Sequence, residues 1–378
     1  MAAQPDLARP RLRILIYANV ERDEAGGAQA VVRSLCDHLS ARGHRVSLGW
    51  NSASGSARLD SNEWAEHFPV RATRRRWPHL PTAARVLFRL LRERPDVVNI
   101  HFASAAARYF QLLAPLLGYR TMLTCHGSDV LRPLPQDAPH LSAIVARADA
   151  VTAVSHDIAT RLGEMEPSER NRATAVIPNG VDTRFWDADP DCAAAAAGPE
   201  GRIIAVGRLE PVKGFDLLID ALARLHAAGV AASVTLVGEG SQRAVLEHQV
   251  RAARIAHRVE FTGRLPREQV RDRLRAADLF VLSSRSEGTP LALLEAMATG
   301  TACVAAQVGG VPASAGDAVW LVPPEDPAAL SQALADLLAN AAARRALADA
   351  ARQRAFAFSV DETHRAYEEL MFQLADRT

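Results

Sequence analysis

The chain has few cysteines, almost no net charge and no long apolar run. Its four cysteines, Cys36, Cys125, Cys192 and Cys303, include no Cys-x-x-Cys and no paired Cys/His spacing. That argues against a disulfide scaffold and a structural zinc site. Lys and Arg number 44 against 43 Asp and Glu, for a net charge of +1. A bare electrostatic nucleic-acid binder shows a strong basic excess, so no nucleic-acid partner is expected. No window approaches the roughly 18 apolar residues of a spanning helix. The start, MAAQPDLARPRLRILIYANV, sets Asp6 and three arginines before a short apolar stretch, unlike a signal peptide. The expected location is cytoplasmic.

What is present is an alternation of short apolar runs with amphipathic stretches, over 378 residues, a length that suits two to three domains. Strands are predicted at Arg13–Ala18, His44–Leu48, Asp96–Ile100, Tyr119–Thr124, Ala150–Val154 and Ala173–Ile177. The first helix is predicted at Gln29–Arg42, with Gly43 as its C′ residue. Asp187–Gly201, DADPDCAAAAAGPEG, has no periodicity and reads as a linker. Strands then resume at Ile203–Val206, Val234–Val237, Val259–Phe261, Leu279–Ser283 and Ala302–Ala306, with helices at Phe215–Ala228 and Ser241–His257. Such alternation means βαβ units and parallel sheets. The predicted fold class is α/β, with two Rossmann-like doubly wound domains facing each other across a cleft. The first spans 1–186, joined by a C-terminal helix at about 360–378, and the second spans 202–359. Ligands of such sheets lie at the carboxyl ends of strands, so residues just after each strand are the candidates.

The sharpest signal is SSRSEGTPLALLEAMATG, Ser283–Gly300. Thr289 suits an N-cap, Pro290 the first helical position and Gly300 the C′ stop. The helix between is apolar on nearly every side, and Glu295 is its only charged residue. A buried carboxylate without a partner costs several kcal/mol, so Glu295 needs one. A nucleotide cradle would have ribose hydroxyls as that partner, phosphate at the helix N-terminus opened by Gly288, and Glu287 at the ligand's other end. The structural alternative is an ion pair with Arg208 or Arg264. Arg208 and Lys213 sit on one loop after a strand, in VGRLEPVKGFDLLIDAL. Two cations there suit a diphosphate, each charge pair being worth about 4 kcal/mol before desolvation. Solvated surface charges are the alternative. The loop lacks the Gly-Lys-Ser/Thr ending of a Walker phosphate loop.

The Glu287-x7-Glu295 pair, GRLEPVKG, VTLVGEGSQ, VEFTGRL and VIPNGVDTRFW together resemble the retaining glycosyltransferases of family 4, of GT-B fold, over almost the whole chain. The resemblance implies that Arg208 and Lys213 bind the donor diphosphate and Glu295 the ribose, with Glu287 near the donor sugar. It implies that backbone around Gly288, Thr289, Pro290 and Leu291 holds sugar and phosphate, and that Arg264 and Leu265 lie beside the base. Two positions depart from the pattern. Ala313 stands where a glutamate often follows Gly-Gly-x-Pro, and Thr301–Ala302 replace a strand-opening proline.

In the first half, Gly26–Gly27 precede a helix after the first strand, a place where backbone can approach an anion. The resemblance puts Gly27 against donor phosphates or acceptor. His126, in TCHGSD directly after a strand, is a structural histidine or, by the same resemblance, a catalytic contributor near the donor sugar. Arg74, Arg75 and Arg76 before Trp77, then Arg85, Arg89, Arg92 and Arg94 among apolar residues, make a basic amphipathic stretch. It suits a solvated face, peripheral contact with an anionic membrane, or an anionic acceptor.

The function implied is transfer of a hexose-type sugar from a nucleotide-diphosphate sugar to a hydroxyl of a glycan, lipid-linked or small-molecule acceptor. The setting would be surface polysaccharide or glycoconjugate synthesis, with retained configuration, the nucleotide sugar as co-substrate and no metal or other cofactor. A sugar-nucleotide 2-epimerase of the same fold and a non-catalytic sugar-nucleotide-binding protein are the alternatives. Asp187–Ala188–Asp189 mimics an Asp-x-Asp metal motif but falls in the linker. GEGSQR has Arg243 where a dinucleotide fingerprint wants glycine. Eight helical residues span about 12 Å, beyond the roughly 5–9.5 Å of glycosidase carboxylates, which weakens a hydrolase reading of Glu287 and Glu295.

Overall fold

A computed structural model describes residues 10–21, 26–51, 63–66, 79–165, 174–187 and 200–376. Seven strands make one sheet: β1 (Arg13–Glu21), β2 (Arg45–Asn51), β3 (Glu63–Glu66), β4 (Val97–His101), β5 (Arg120–Cys125), β6 (Ala150–Ala153) and β7 (Ala175–Val176). Six make another: β8 (Gly201–Val206), β9 (Ala232–Val237), β10 (Val259–Gly263), β11 (Leu279–Leu282), β12 (Ala302–Ala306) and β13 (Trp320–Val322). Their orders are β3-β2-β1-β4-β5-β6-β7 and β10-β9-β8-β11-β12-β13. Every pairing is parallel. The α/β reading holds, and each sheet is doubly wound.

Both faces of each sheet are covered, which explains why the strands read as unbroken apolar runs. In β1, Leu15 and Tyr17 enter one core while Ile14, Ile16 and Ala18 enter the other. In β8, Ile203 and Ala205 face one core and Ile204 the second.

The chain divides into Met1–Pro178 with Thr363–Thr378, and Asn179–Glu362. Asn179–Trp186, assigned from sequence to the first domain, therefore belong to the second unit. The reason is packing: Val181 and Trp186 enter its core, and Val181 exchanges backbone hydrogen bonds with Phe358 (2.7 Å) and Val360 (3.0 Å). Of the expected linker, 188–199 lie outside the described residues, as do Arg74–Arg76 and Trp77.

Helix α1 (Gly27–Ala41) ends as expected, with Gly43 at φ 87° and His44 N–H returned to Leu39 O. The helix expected over Ser241–His257 instead runs Arg243–Ala252. Arg254 turns left-handed (φ 59°) and buries Ile255 in the core, which outweighs helical continuation. Helix α2 (Leu80–Glu93) buries Thr82, Val86 and Leu90, while Leu80, Ala84, Phe88 and Leu91 line its opposite, exposed side beside Arg85 and Arg92. No helix among the described residues is long and apolar enough to cross a membrane.

Candidate functional site

Each sheet has one place where strand order reverses, at β1/β4 and at β8/β11. Connections leave such a point in opposite directions, so the strand-end loops part and leave room for a ligand.

In the second unit, the loop after β8 carries Arg208 and Lys213 and leads into helix α3 (Phe215–Ala227). Glycine allows its backbone to touch the neighbouring loops. A Cβ at Gly238 would stand 1.9 Å from Gly207 O, and one at Gly214 would stand 2.1 Å from Ser283 O, both at positive φ. Arg285 locks the arrangement. Its guanidinium donates to both oxygens of Asp216 (2.8 and 2.7 Å), to Pro211 O (2.6 Å) and to Glu325 (2.7 Å), and its N–H donates to Val212 O (2.8 Å).

Lys213 Nζ donates to Glu287 Oε1 at 2.6 Å, and Ser284 Oγ donates to the same oxygen at 2.6 Å. Two of the candidates thus pair with each other, and Ser284 joins them. Arg208 and Arg264 are exposed, and their side chains make no hydrogen bond or ion pair among the described residues, although the Arg208 charge helps lower the pKa of Glu210. Leu265 packs partly buried against the core.

Gly288, Thr289 and Pro290 lead into helix α4 (Leu291–Ala298). Here the sequence reading is corrected by one residue: Pro290, at ψ 95°, is the N-cap, and Thr289 lies before it with its carbonyl receiving Asn179 Nδ2 at 3.5 Å. Pro290 O accepts from Leu293 and Leu294, while the N–H groups of Leu291 and Ala292 have no acceptor among the described residues. Gly300 closes the helix at φ 70°.

Glu295 lies on this helix among Leu293, Leu294, Ala296 and Met297, all buried. Its carboxylate has no hydrogen bond or ion pair among the described residues, so the structural alternative, a pairing with Arg208 or Arg264, is not formed. Burial pushes its pKa up to about 7, against the pull of the Arg267 cation. Arg267 is itself stacked over Phe185 (4.5 Å) and Trp186 (5.5 Å). Asn179 Oδ1 is a second buried acceptor with no partner. Asp187 is tied to Arg352 at 2.7 Å, a structural use for the first residue of the Asp-x-Asp mimic.

In the first unit, Gly27 opens α1 after β1, with Gly26 as an extended N-cap. His126 follows β5. Its main-chain N–H and that of Gly127 donate to Asp129 Oδ1 (3.0 and 2.8 Å), whose other oxygen takes Ala103 N–H (2.8 Å). The His126 ring meets His101 of β4, with Nε2 2.9 Å from His101 Nδ1, and stacks on Phe102 at 4.4 Å. Burial lowers the His126 pKa to about 4 and holds His101 well below its usual value, so both rings are neutral at pH 7.

Sequence reasoning missed Ser284, Arg285, Asn179, Asn99 and His101. Asn179, Ser284 and Arg285 lie inside motifs already singled out, while Asn99 and His101 left a signal of their own: two polar residues at i and i+2 in the apolar run DVVNIH, which a buried strand keeps only if they are hydrogen-bonded.

Residues 25–185 match the family model described as Glycosyltransferase Family 4, and residues 194–354 match Glycosyl transferases group 1. The chain is 31% identical over 280 residues to a GDP-mannose-dependent α-(1-6)-phosphatidylinositol monomannoside mannosyltransferase of Mycolicibacterium smegmatis, covering 69% of this chain and 72% of that one. Among solved structures it resembles a sucrose-phosphate synthase from Thermosynechococcus elongatus, with a TM-score of 0.79, 22% identity and coverage of 97% and 100%. It also resembles Anabaena HepE in complex with UDP and glucose, with a TM-score of 0.78, 19% identity and coverage of 95% and 99%.

Proposed function

Because the chain belongs to glycosyltransferase family 4, we propose that it moves a hexose-type sugar from a nucleotide-diphosphate sugar to an acceptor hydroxyl with retained configuration. The observation that carries this reading is the Glu295 carboxylate, half-buried on α4 without a hydrogen bond or ion pair among the described residues, at the strand-order reversal that also bears Arg208 and Lys213. A carboxylate in that setting is stabilised by a ligand that brings hydroxyl donors, as a ribose does.

Arg208 and Lys213 supply the counter-charge for the diphosphate, so the scheme uses no metal. The N–H groups of Leu291 and Ala292, with Gly288 and Thr289, hold phosphate and sugar at the positive end of α4. Arg264 and Leu265 flank the base. Glu287, held by Lys213 and Ser284, faces the donor sugar, and the family resemblance gives Gly27 a phosphate or acceptor role and His126 a catalytic one. In the front-face scheme that the family resemblance implies, the bond from the anomeric carbon to the diphosphate breaks as the acceptor oxygen bonds to the same face. The acceptor proton passes to the departing phosphate oxygen. His126, with its pKa lowered to about 4, is neutral and acts by hydrogen bonding.

A lipid-linked acceptor is favoured by α2. Its outward meridian is Leu80, Ala84, Phe88 and Leu91, with Arg85 and Arg92 beside it, the pattern of a helix that rests on an anionic interface. The enzyme would then work at the inner face of the membrane. Phe88→Glu should abolish sedimentation with phosphatidylglycerol vesicles while leaving the melting temperature within about 1 °C. Retained sedimentation removes this surface from the scheme.

The first test is thermal stabilisation by UDP-, GDP-, ADP- and dTDP-sugars, with Glu295→Gln as control. A ligand at 100 times its dissociation constant adds about 2.7 kcal/mol. A shift with one nucleotide class, lost in the variant, supports the donor site. No shift in folded protein with any of the four sinks it. Sugar transfer that inverts configuration rejects the retaining assignment, and conversion of the donor without acceptor points to an epimerase.

A further inference from the structure

The rings of His101 and His126 are the end of a longer hydrogen-bonded row. Thr152 of β6, Thr124 of β5 and Asn99 and His101 of β4 sit side by side across three adjacent strands, and all are buried. Thr152 Oγ1 is 3.0 Å from Thr124 Oγ1, Thr124 Oγ1 is 2.9 Å from Asn99 Oδ1, Asn99 Nδ2 is 3.1 Å from His101 Nε2, and His101 Nδ1 is 2.9 Å from His126 Nε2. The row exists because the parallel register sets Asn99 beside Met122, and His101 beside Thr124, on neighbouring strands.

The row has a direction. Thr152 Oγ1 lies 3.0 Å from Thr124 Oγ1 and 3.4 Å from Leu123 O, with the Tyr367 hydroxyl beside both threonines, and the shorter bond has Thr152 donating to Thr124. Thr124 then donates to Asn99 Oδ1, which leaves the Asn99 amide to donate to His101 Nε2. A neutral imidazole carries one proton, so His101 holds it on Nδ1 and donates it to His126 Nε2. His126 must in turn keep its proton on Nδ1, which has no acceptor among the described residues.

We propose that His101 is a positioning residue that fixes His126 in the Nδ1–H form, so that His126 meets the substrate as a hydrogen-bond donor and not as a base. The proposal deepens the functional reading above and rests on it for the role of His126. The ring's attitude is set by the same surroundings. Phe102 stacks on it from a left-handed backbone position (φ 71°) that a bulky side chain rarely adopts, and Asp129 holds the main chain of His126 and Gly127. A donor fits a site in which the departing diphosphate takes the acceptor's proton, because a base beside it would compete for that proton.

The ring protons can be read directly. In the full chain labelled with ¹⁵N-histidine, two-bond ¹H–¹⁵N correlations at pH 7 should show His126 protonated on Nδ1 and bare on Nε2. His126 protonated on Nε2, or an even mixture, overturns the proposal without any variant. Asn99→Asp offers only acceptors and should reverse both rings. It should lower kcat for nucleoside diphosphate release from UDP-glucose or GDP-mannose by about 100-fold, with KM for that donor within about threefold. His101→Gln keeps an N–H donor toward His126 and should lose less than about tenfold, whereas His101→Leu should lose about 100-fold. Equal losses in these two variants, or reversed rings with unchanged kcat, overturn the positioning role. If the ring protons are as expected but His126→Ala leaves kcat unchanged, the functional reading of His126 fails and the tautomer assignment survives.

Discussion

The two strand-order reversals share a topology but use opposite electrostatics. At β8/β11 the candidate residues are charged: Arg208, Lys213, Glu287, Glu295 and the clamp of Arg285 on Asp216 and Glu325. At β1/β4 they are neutral dipoles in series: Asn99, His101 and His126, backed by Thr124 and Thr152. A site that grips an anion keeps its cations near water, where their desolvation is small, and the structure leaves Arg208 and Arg264 exposed. A site that orients hydroxyls needs direction more than charge, and burial supplies direction by removing alternative partners.

The contrast predicts unequal losses. The largest follows removal of the Lys213 charge. Lys213→Met alone would strand Glu287, so the double variant with Glu287→Gln is the clean test, and calorimetry should find donor affinity reduced by about 100-fold or more. Retained affinity would mean that Arg208 alone holds the phosphates.

Next comes Glu295. If the donor's hydroxyls bind its carboxylate, nucleotide-sugar affinity tracks the ionised fraction, about a tenth at pH 6 and nine tenths at pH 8 for a pKa of about 7. Affinity should therefore rise about ninefold over that interval, and Glu295→Gln should lose the dependence. The same shift runs the other way in folding. A carboxyl whose folded pKa lies above its unfolded value stabilises the protein fully at low pH, and that contribution disappears as pH rises through about 7. Glu295→Gln should then raise the melting temperature at pH 8 by about 2–4 °C while weakening donor binding. A lowered melting temperature would show that the carboxylate has a structural partner after all.

The smallest effect belongs to the neutral side. With the His126 pKa lowered to about 4 by burial, kcat should show no inflection between pH 5 and 8 that disappears in His126→Gln. Such an inflection near pH 6.5 would erase the contrast.

The charged side was the more legible from sequence. Arg208, Lys213, Glu287 and Glu295 stand out in apolar surroundings, and Gly43 and Gly300 mark helix ends through their own backbone needs. Local signals failed where tertiary contacts decide. The start of α4 moved by one residue because the Thr289 carbonyl is engaged by Asn179, far away in sequence. The helix after Gly240 ended early because Ile255 gains more from the core than from another helical turn. The pairing of Lys213 with Glu287 depends on loops meeting after two separate strands. The row from Thr152 to His126 depends on strand register, which no single-strand pattern contains, and only the polar pair Asn99 and His101 hinted at it.

The last helix, α5 (Val360–Ala375), carries Tyr367, Met371, Phe372 and Leu374 into the first unit's core beside Ile14 and Ile16, and its Glu368 accepts from His44 (2.9 Å) and Arg42 (3.2 Å). All of Asn179–Glu362 is synthesised between that core and its closing piece. At about 5–20 residues per second, a ribosome leaves the nascent chain with an open apolar face for roughly ten to forty seconds. During that time the second unit, whose strands and helices are contiguous in sequence, can fold to completion. The part made first is finished last, so chaperone dependence and C-terminal truncation should act on the first unit even though the truncated residues belong to the end of the chain.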